Sequence, residues 1–280
     1  MPVFKSYAKR KQGVPVNHVI LFDGTWCDRE DQTNISKMLD LCAVGNRQSV
    51  FYDPGVGSKF GNRLRGGIFG RGAAENVQQA IAYLVEHWRH KDSIMVFGFS
   101  RGAFEARTLC GCLNHSGLPL HAEWIPNAWK AYKRKKKPAY KDKVNIRFAG
   151  CFDTVRQTGI KHKFGDIYAS DNVLKALHIC AIDERRKAFP LTHWEGSQTE
   201  QVFVPGHHAD IGGGNDNSPR SDIAFNYMLR NAEACGLILN PDWRQRIFPD
   251  LKSGIKAPAK AWGILGYRKR IVPPGQFLFG

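Results

Sequence analysis

The chain has 280 residues, of which 42% are hydrophobic and 11% aromatic, enough apolar material for a packed core and too much for extended disorder. Lysine plus arginine exceed aspartate plus glutamate by 41 to 25, a formal charge of +16 that favours polyanionic partners such as anionic lipid or nucleic acid without choosing between them. No stretch approaches the ~18 uninterrupted apolar residues of a membrane span, and the basic start MPVFKSYAKRKQG lacks the apolar core of a conventional signal peptide, so cytoplasmic synthesis is expected. Cysteines 27, 42, 110, 112, 151, 180 and 235 are odd in number and form no CxxC pair, as expected of reduced thiols; Cys110 and Cys112 read as packing residues of one helix.

Apolar runs of strand length alternate with longer amphipathic stretches, which predicts an α/β fold with a mainly parallel central sheet and helices on both faces. In chain order the pattern predicts a strand over 18–22, a helix over 34–44, a strand over 49–52, a helix over 74–90 and a strand over 93–97. A helix over 102–113, a strand over 144–151, a helix over 171–180, a strand over 201–204 and a helix over 221–235 follow. One domain is expected across 1–280, with its core at about 17–238, lid-like insertions at 118–143 and 156–170, and a basic, proline-rich tail at 241–280 that wraps the surface as loops.

The segment SIMVFGFSRGAFEAR places Ser100 between Gly98 and Gly102, where a buried strand meets a helix. That is the Gly-x-Ser-x-Gly nucleophile elbow, a turn so sharp that only small residues can flank the exposed serine. A serine hydroxyl needs a base to take its proton and a carboxylate to orient the base. In this architecture the acid and then the histidine follow the serine in chain order, each after a strand. Asp153 follows VNIRFAGC, and His207 or His208 follows QVFV within a predicted loop, VPGHHADIGGG. Asp183 and Asp210 are weaker substitutes for the acid. The oxyanion of a tetrahedral intermediate needs two N–H donors. Arg101, directly after the serine, is expected to supply one, and Gly24 or Thr25 in LFDGTW the other, with Asp23 bracing that loop.

These residues make the sequence similar to an α/β-hydrolase family, formerly of unknown function, that includes the phospholipase effectors of the bacterial type VI secretion system. The resemblance rests on Leu21–Trp26, Tyr52–Gly57, Phe97–Phe104, Phe152–Val155, Asp183–Arg186 and Pro205–Gly214, in the family's order over residues 18 to about 235. It implies an α/β-hydrolase fold, Ser100 as nucleophile and Asp153 as acid. It selects His208, two residues before Asp210, over His207 as the base. Phe152 stands where the family usually has tryptophan. The resemblance further implies hydrolysis of carboxylic esters, glycerophospholipids foremost, without a cofactor or metal. It also implies export by a type VI system and partners among immunity or secretion-machinery proteins.

Two basic segments bear on the substrate. Trp124, Trp129, Tyr132 and Tyr140 lie among lysines over 124–143, a composition suited to docking on an anionic membrane surface or simply to a solvated excursion. The glycine- and arginine-rich stretch 55–72 carries Arg63, Arg65 and Arg71, which could wrap a phosphate, although such loops more often have no ligand. Three rival readings accompany the lipid esterase: an esterase or thioesterase on a non-lipid substrate, a nucleic-acid-binding protein with a vestigial hydrolase site, and a metal-dependent hydrolase built on Asp23, His207, His208 and Asp210.

Overall fold

The structure is a computed structural model that describes residues 3–5, 10–24, 27, 29–55, 68–136, 144–155, 169–215, 218–255 and 266–273. Seven strands form one sheet: β1 (Val3–Lys5), β2 (Asn17–Phe22), β3 (Gln48–Asp53), β4 (Ser93–Phe99), β5 (Ile146–Phe152), β6 (Ala176–Ala181) and β7 (Thr199–Val204). Their order is β1-β3-β2-β4-β5-β6-β7, with β1 antiparallel to β3 and the other pairs parallel. Six helices accompany them: α1 (Asn34–Leu41), α2 (Ile68–His87), α3 (Arg101–Ser116), α4 (Ile125–Arg134), α5 (His208–Gly212) and α6 (Ser218–Ala234). This is an α/β-hydrolase architecture, as expected. Among the described residues no helix is long and apolar enough to cross a membrane.

The sheet separates two cores because side chains alternate across it. Val19, Leu21, Met95 and Phe97 point to the face covered by α1 and α6, where they meet Ile35, Met38, Phe225 and Met228. Ile20, Phe22, Ile94 and Val96 point to the face covered by α2, α3 and α4, meeting Ile81, Leu84, Leu109 and Tyr132. Since β4 lies mid-sheet with both faces covered, all seven of its residues are buried, and the sequence reads there as a continuous apolar run.

Three corrections to the sequence expectations follow from the same packing. Residues 171–180, expected as a helix, hold a turn and most of β6. Every residue of β6 is buried, so the alternation that marks a strand is absent, and the alanine and leucine content imitates a helix. The expected loop after β7 instead starts α5 at His208. The insertion after α3 is in part a helix, α4, packed on α3: Tyr132 lies against Gly111, and Ser116 Oγ donates to the Ala128 carbonyl at 2.9 Å. Tyr132 is buried and Trp129 partly so, whereas Lys130, Lys133, Lys135 and Lys136 face solvent. The expected aromatic docking face is therefore largely turned inward there, while Tyr140, the segment 156–168 and Arg63 and Arg65 lie outside the described residues.

Candidate active site

β4 runs apolar to its end, and the chain then reverses into α3 through Ser100, whose φ of 59° lies in the left-handed region. A side-chain-bearing residue held there costs about 1–3 kcal/mol, so the surroundings must enforce the turn. They do so through hydrogen bonds from Ser100 N to the Phe152 carbonyl at 3.0 Å and from Val155 N to the Ser100 carbonyl at 3.2 Å. The flanking glycines are required by contact. A Cβ on Gly98 would lie 2.4 Å from the Gly102 carbonyl oxygen, and one on Gly102 would lie 2.3 Å from that of Phe22 and 2.4 Å from that of Asp23.

The side chains at the carboxyl ends of β4, β5 and β7 converge. His208 Nε2 is 2.8 Å from Ser100 Oγ, and His208 Nδ1 is 2.5 Å from Asp153 Oδ2. Ser100, Asp153 and His208 are all buried. The imidazole lies between two rings, Phe99 at 4.7 Å and Phe189 at 4.9 Å between centroids. Its backbone N–H donates to Glu184 Oε2 at 3.2 Å, and Glu184 is itself gripped by Arg186 at 2.8 and 2.6 Å. Burial pushes the His208 imidazole below its usual range, partly offset by the Asp153 carboxylate, so the ring stays neutral near neutral pH. His207 does not join this chain; its backbone N–H donates to Asp210 Oδ2 at 2.8 Å and helps to start α5.

Asp153 has a partner that the sequence did not reveal. Arg270 Nη1 donates to Asp153 Oδ1 at 2.6 Å and to the Ala181 carbonyl at 2.9 Å, while Nη2 donates to Asp153 Oδ2 at 3.1 Å and to the Phe189 carbonyl at 3.0 Å. Ala181 N also donates to Asp153 Oδ1, at 2.9 Å. Burial alone would raise the Asp153 carboxyl, but the Arg270 guanidinium, followed by His208, holds it well below the usual carboxylate range. Arg270 sits in the tail expected to be loops, and that tail is stitched to the segment after β6: Lys187 N donates to the Gly266 carbonyl at 3.0 Å and Arg268 N to that of Arg185 at 2.6 Å.

The expected oxyanion loop follows β2. Asp23 braces it, accepting from Gly24 N at 2.7 Å, Thr33 Oγ1 at 2.7 Å and Tyr52 OH at 2.9 Å. Burial pushes this carboxyl up to about 7 against those three hydrogen bonds. The Gly24 N–H is thereby committed to Asp23, and Thr25 lies outside the described residues. Arg101 opens α3, where the first backbone N–H groups of a helix have no partner within it. Asp23 is engaged with its own loop, His208 with Asp153, and His207 with Asp210 through its backbone N–H, and among the described residues no group of three or more His, Cys, Asp or Glu is arranged to hold a metal ion.

Comparison with known proteins places this chain in a family. The family model described as the catalytic domain of Tle1-like phospholipase effectors of the type VI secretion system matches residues 17–143 and 135–231. The chain belongs to this Tle1-like family. An uncharacterized protein of Saccharomyces cerevisiae is 29% identical, over 62% of this chain and 32% of its own length. A Pseudomonas aeruginosa protein of uncharacterized role shares the fold at a TM-score of 0.52 and 18% identity, over 82% of this chain and 47% of that one. The Tle1 effector solved bound to the VgrG spike has 22% identity and a TM-score of 0.48, over 76% of this chain and 54% of its own. The chain thus spans about a third of the yeast relative and about half of each of these two solved chains. Ser100, Asp153 and His208 all fall inside the span matched by the Tle1-like model, whereas Arg270 falls outside it.

Proposed function

We propose that this chain hydrolyses carboxylic esters through an acyl-enzyme on Ser100, and that its substrates are glycerophospholipids. The observation that carries the reading is the hydrogen-bonded sequence Ser100 Oγ, His208 Nε2, His208 Nδ1, Asp153 Oδ2, with each residue at the end of a different neighbouring element. In the proposed reaction Ser100 Oγ attacks the ester carbonyl while its proton passes to His208 Nε2. Asp153 accepts from Nδ1–H, which keeps the ring in the tautomer whose Nε2 is a base and stabilises the imidazolium that forms. The negative charge on the carbonyl oxygen is met by the Arg101 backbone N–H and, because the Gly24 N–H is turned to Asp23, by that of Thr25. His208 then gives its proton to the leaving alcohol, a water adds to the acyl-enzyme with His208 again as base, and fatty acid and free Ser100 result.

The lipid substrate and delivery through a type VI secretion system, with secretion-machinery and immunity proteins as partners, are drawn from the family's description as phospholipase effectors. Release of fatty acid from anionic liposomes tests the enzymatic reading. Ser100→Ala is expected to reduce it by about 10⁵-fold or more with an unchanged circular dichroism spectrum. Release that continued at the parent rate in the folded variant would refute the mechanism.

A further inference from the structure

Behind Asp153, on the far side of Arg270, a cavity of about 480 Å³ opens between the segment after β6 and the C-terminal tail. Among the described residues five cations line it, Arg186, Lys187, Arg268, Lys269 and Arg270, and no carboxylate does. Two of the five are neutralised from behind, Arg186 by Glu184 and Arg270 by Asp153. Lys187, Arg268 and Lys269 are exposed, and no carboxylate among the described residues pairs with them. Three uncompensated positive charges therefore share one concave wall, where a low-dielectric boundary concentrates their field. The wall is built in advance of any ligand, because the tail backbone is pinned at Lys187 N to Gly266 O, at Arg268 N to Arg185 O and by a bridge between Arg186 and Tyr267.

We propose that this cavity binds a compact phosphate-bearing anion, a phosphomonoester or a diphosphate. The guanidinium fork of Arg268 matches two phosphate oxygens, and the two lysines supply point charges beside it. The volume suits one small ligand, within the usual range of about 300–1,000 Å³. Leu191 and the exposed Ile271 at the rim give apolar footing beside the cations, as a lipid headgroup entering from a bilayer would use; a soluble phosphate compound offers the same anionic chemistry. The proposal stands on the charge and shape of this cavity and does not rest on the reaction proposed at Ser100, although Arg270 in its wall also holds Asp153.

The test uses the Ser100→Ala chain, so that no probe is hydrolysed during the measurement. Binding of inorganic pyrophosphate is measured by calorimetry, and binding to phosphatidylcholine vesicles with and without phosphatidic acid by co-sedimentation. Each is repeated in Arg268→Ser/Lys269→Ser and in a control, Lys130→Ser/Lys133→Ser, which removes equal charge from α4. The tail double variant is expected to bind roughly thirty-fold more weakly, a few-fold per basic side chain, while the control binds as the parent does. Variant-sensitive binding of pyrophosphate alone supports the site with a soluble ligand. Variant-sensitive binding of phosphatidic acid vesicles, competed by pyrophosphate, supports it with a lipid headgroup. No binding of either probe to the parent, binding of both probes unchanged in the tail variant, or equal loss in the control would overturn the proposal.

Discussion

Replacing Arg270 by methionine keeps most of the side chain's length and removes its charge. Four hydrogen bonds go with it, two to Asp153 and one each to the carbonyls of Ala181 and Phe189. Breaking a buried ion pair from one side costs about 3–5 kcal/mol, a large share of a typical domain's stability of about 5–15 kcal/mol, so a lower melting temperature is expected. The more telling effect is on His208. The Arg270 charge lowers the proton affinity of that imidazole from across one carboxylate. The two cations repel, so removing the Arg270 charge raises the proton affinity of the ring. Because His208 must be neutral to act as base, the acid limb of the kcat/KM profile, followed with a short-chain nitrophenyl ester, should move to higher pH in Arg270→Met. Arg270→Lys, which keeps the charge and loses the fork, should leave the limb near its original place. An acid limb that stayed fixed in a folded methionine variant would show that Arg270 serves the tail alone.

Gly102→Ala should abolish esterase activity and lower stability by about 1–3 kcal/mol or more, because the added methyl meets the Phe22 and Asp23 carbonyls and forces the loop after β2 away from α3; thermal melts and ester turnover check it, and parent-like values would contradict the packing argument. His178 is buried, accepts from Thr154 N at 3.2 Å, shares a hydrogen bond with Gln201 at 2.9 Å, and is held by burial, then by Arg107, near a pKa of about 3. Its unfolded form takes a proton below about 6.5 while the folded form does not, so stability should fall by on the order of 4 kcal/mol as pH drops from about 6.5 towards 3. His178→Gln should flatten that slope in melts followed against pH, and an equal slope would rule the assignment out.

The elbow was legible in the sequence because everything that makes it is local: a strand, two glycines with no room for a Cβ, and a helix within fifteen residues. Asp153 was legible because an acid directly after a buried strand occupies a known place, and His208 was separated from its neighbour only by the family pattern. Other features could not be read in this way. β6 looked helical because a strand covered on both faces loses its alternation. Arg270 is one of 41 lysines and arginines, 117 positions from Asp153, and nothing local distinguishes a guanidinium that will be buried from one left in water. The Gly24 N–H was one of two expected, with that of Thr25, to face the substrate, but a carboxylate one residue earlier captures it, a choice of direction that residue identity does not encode.

In the proposed mechanism His208, and not His207, activates Ser100. The most direct measurement is the rate at which a fluorophosphonate labels the intact protein, with the adduct located by peptide mass spectrometry. One adduct on Ser100, an unchanged rate in His207→Ala, and a rate lower by about 10²–10⁴-fold in His208→Ala are expected. An adduct on another residue, or parent-like labelling of Ser100 without the His208 ring, would contradict it.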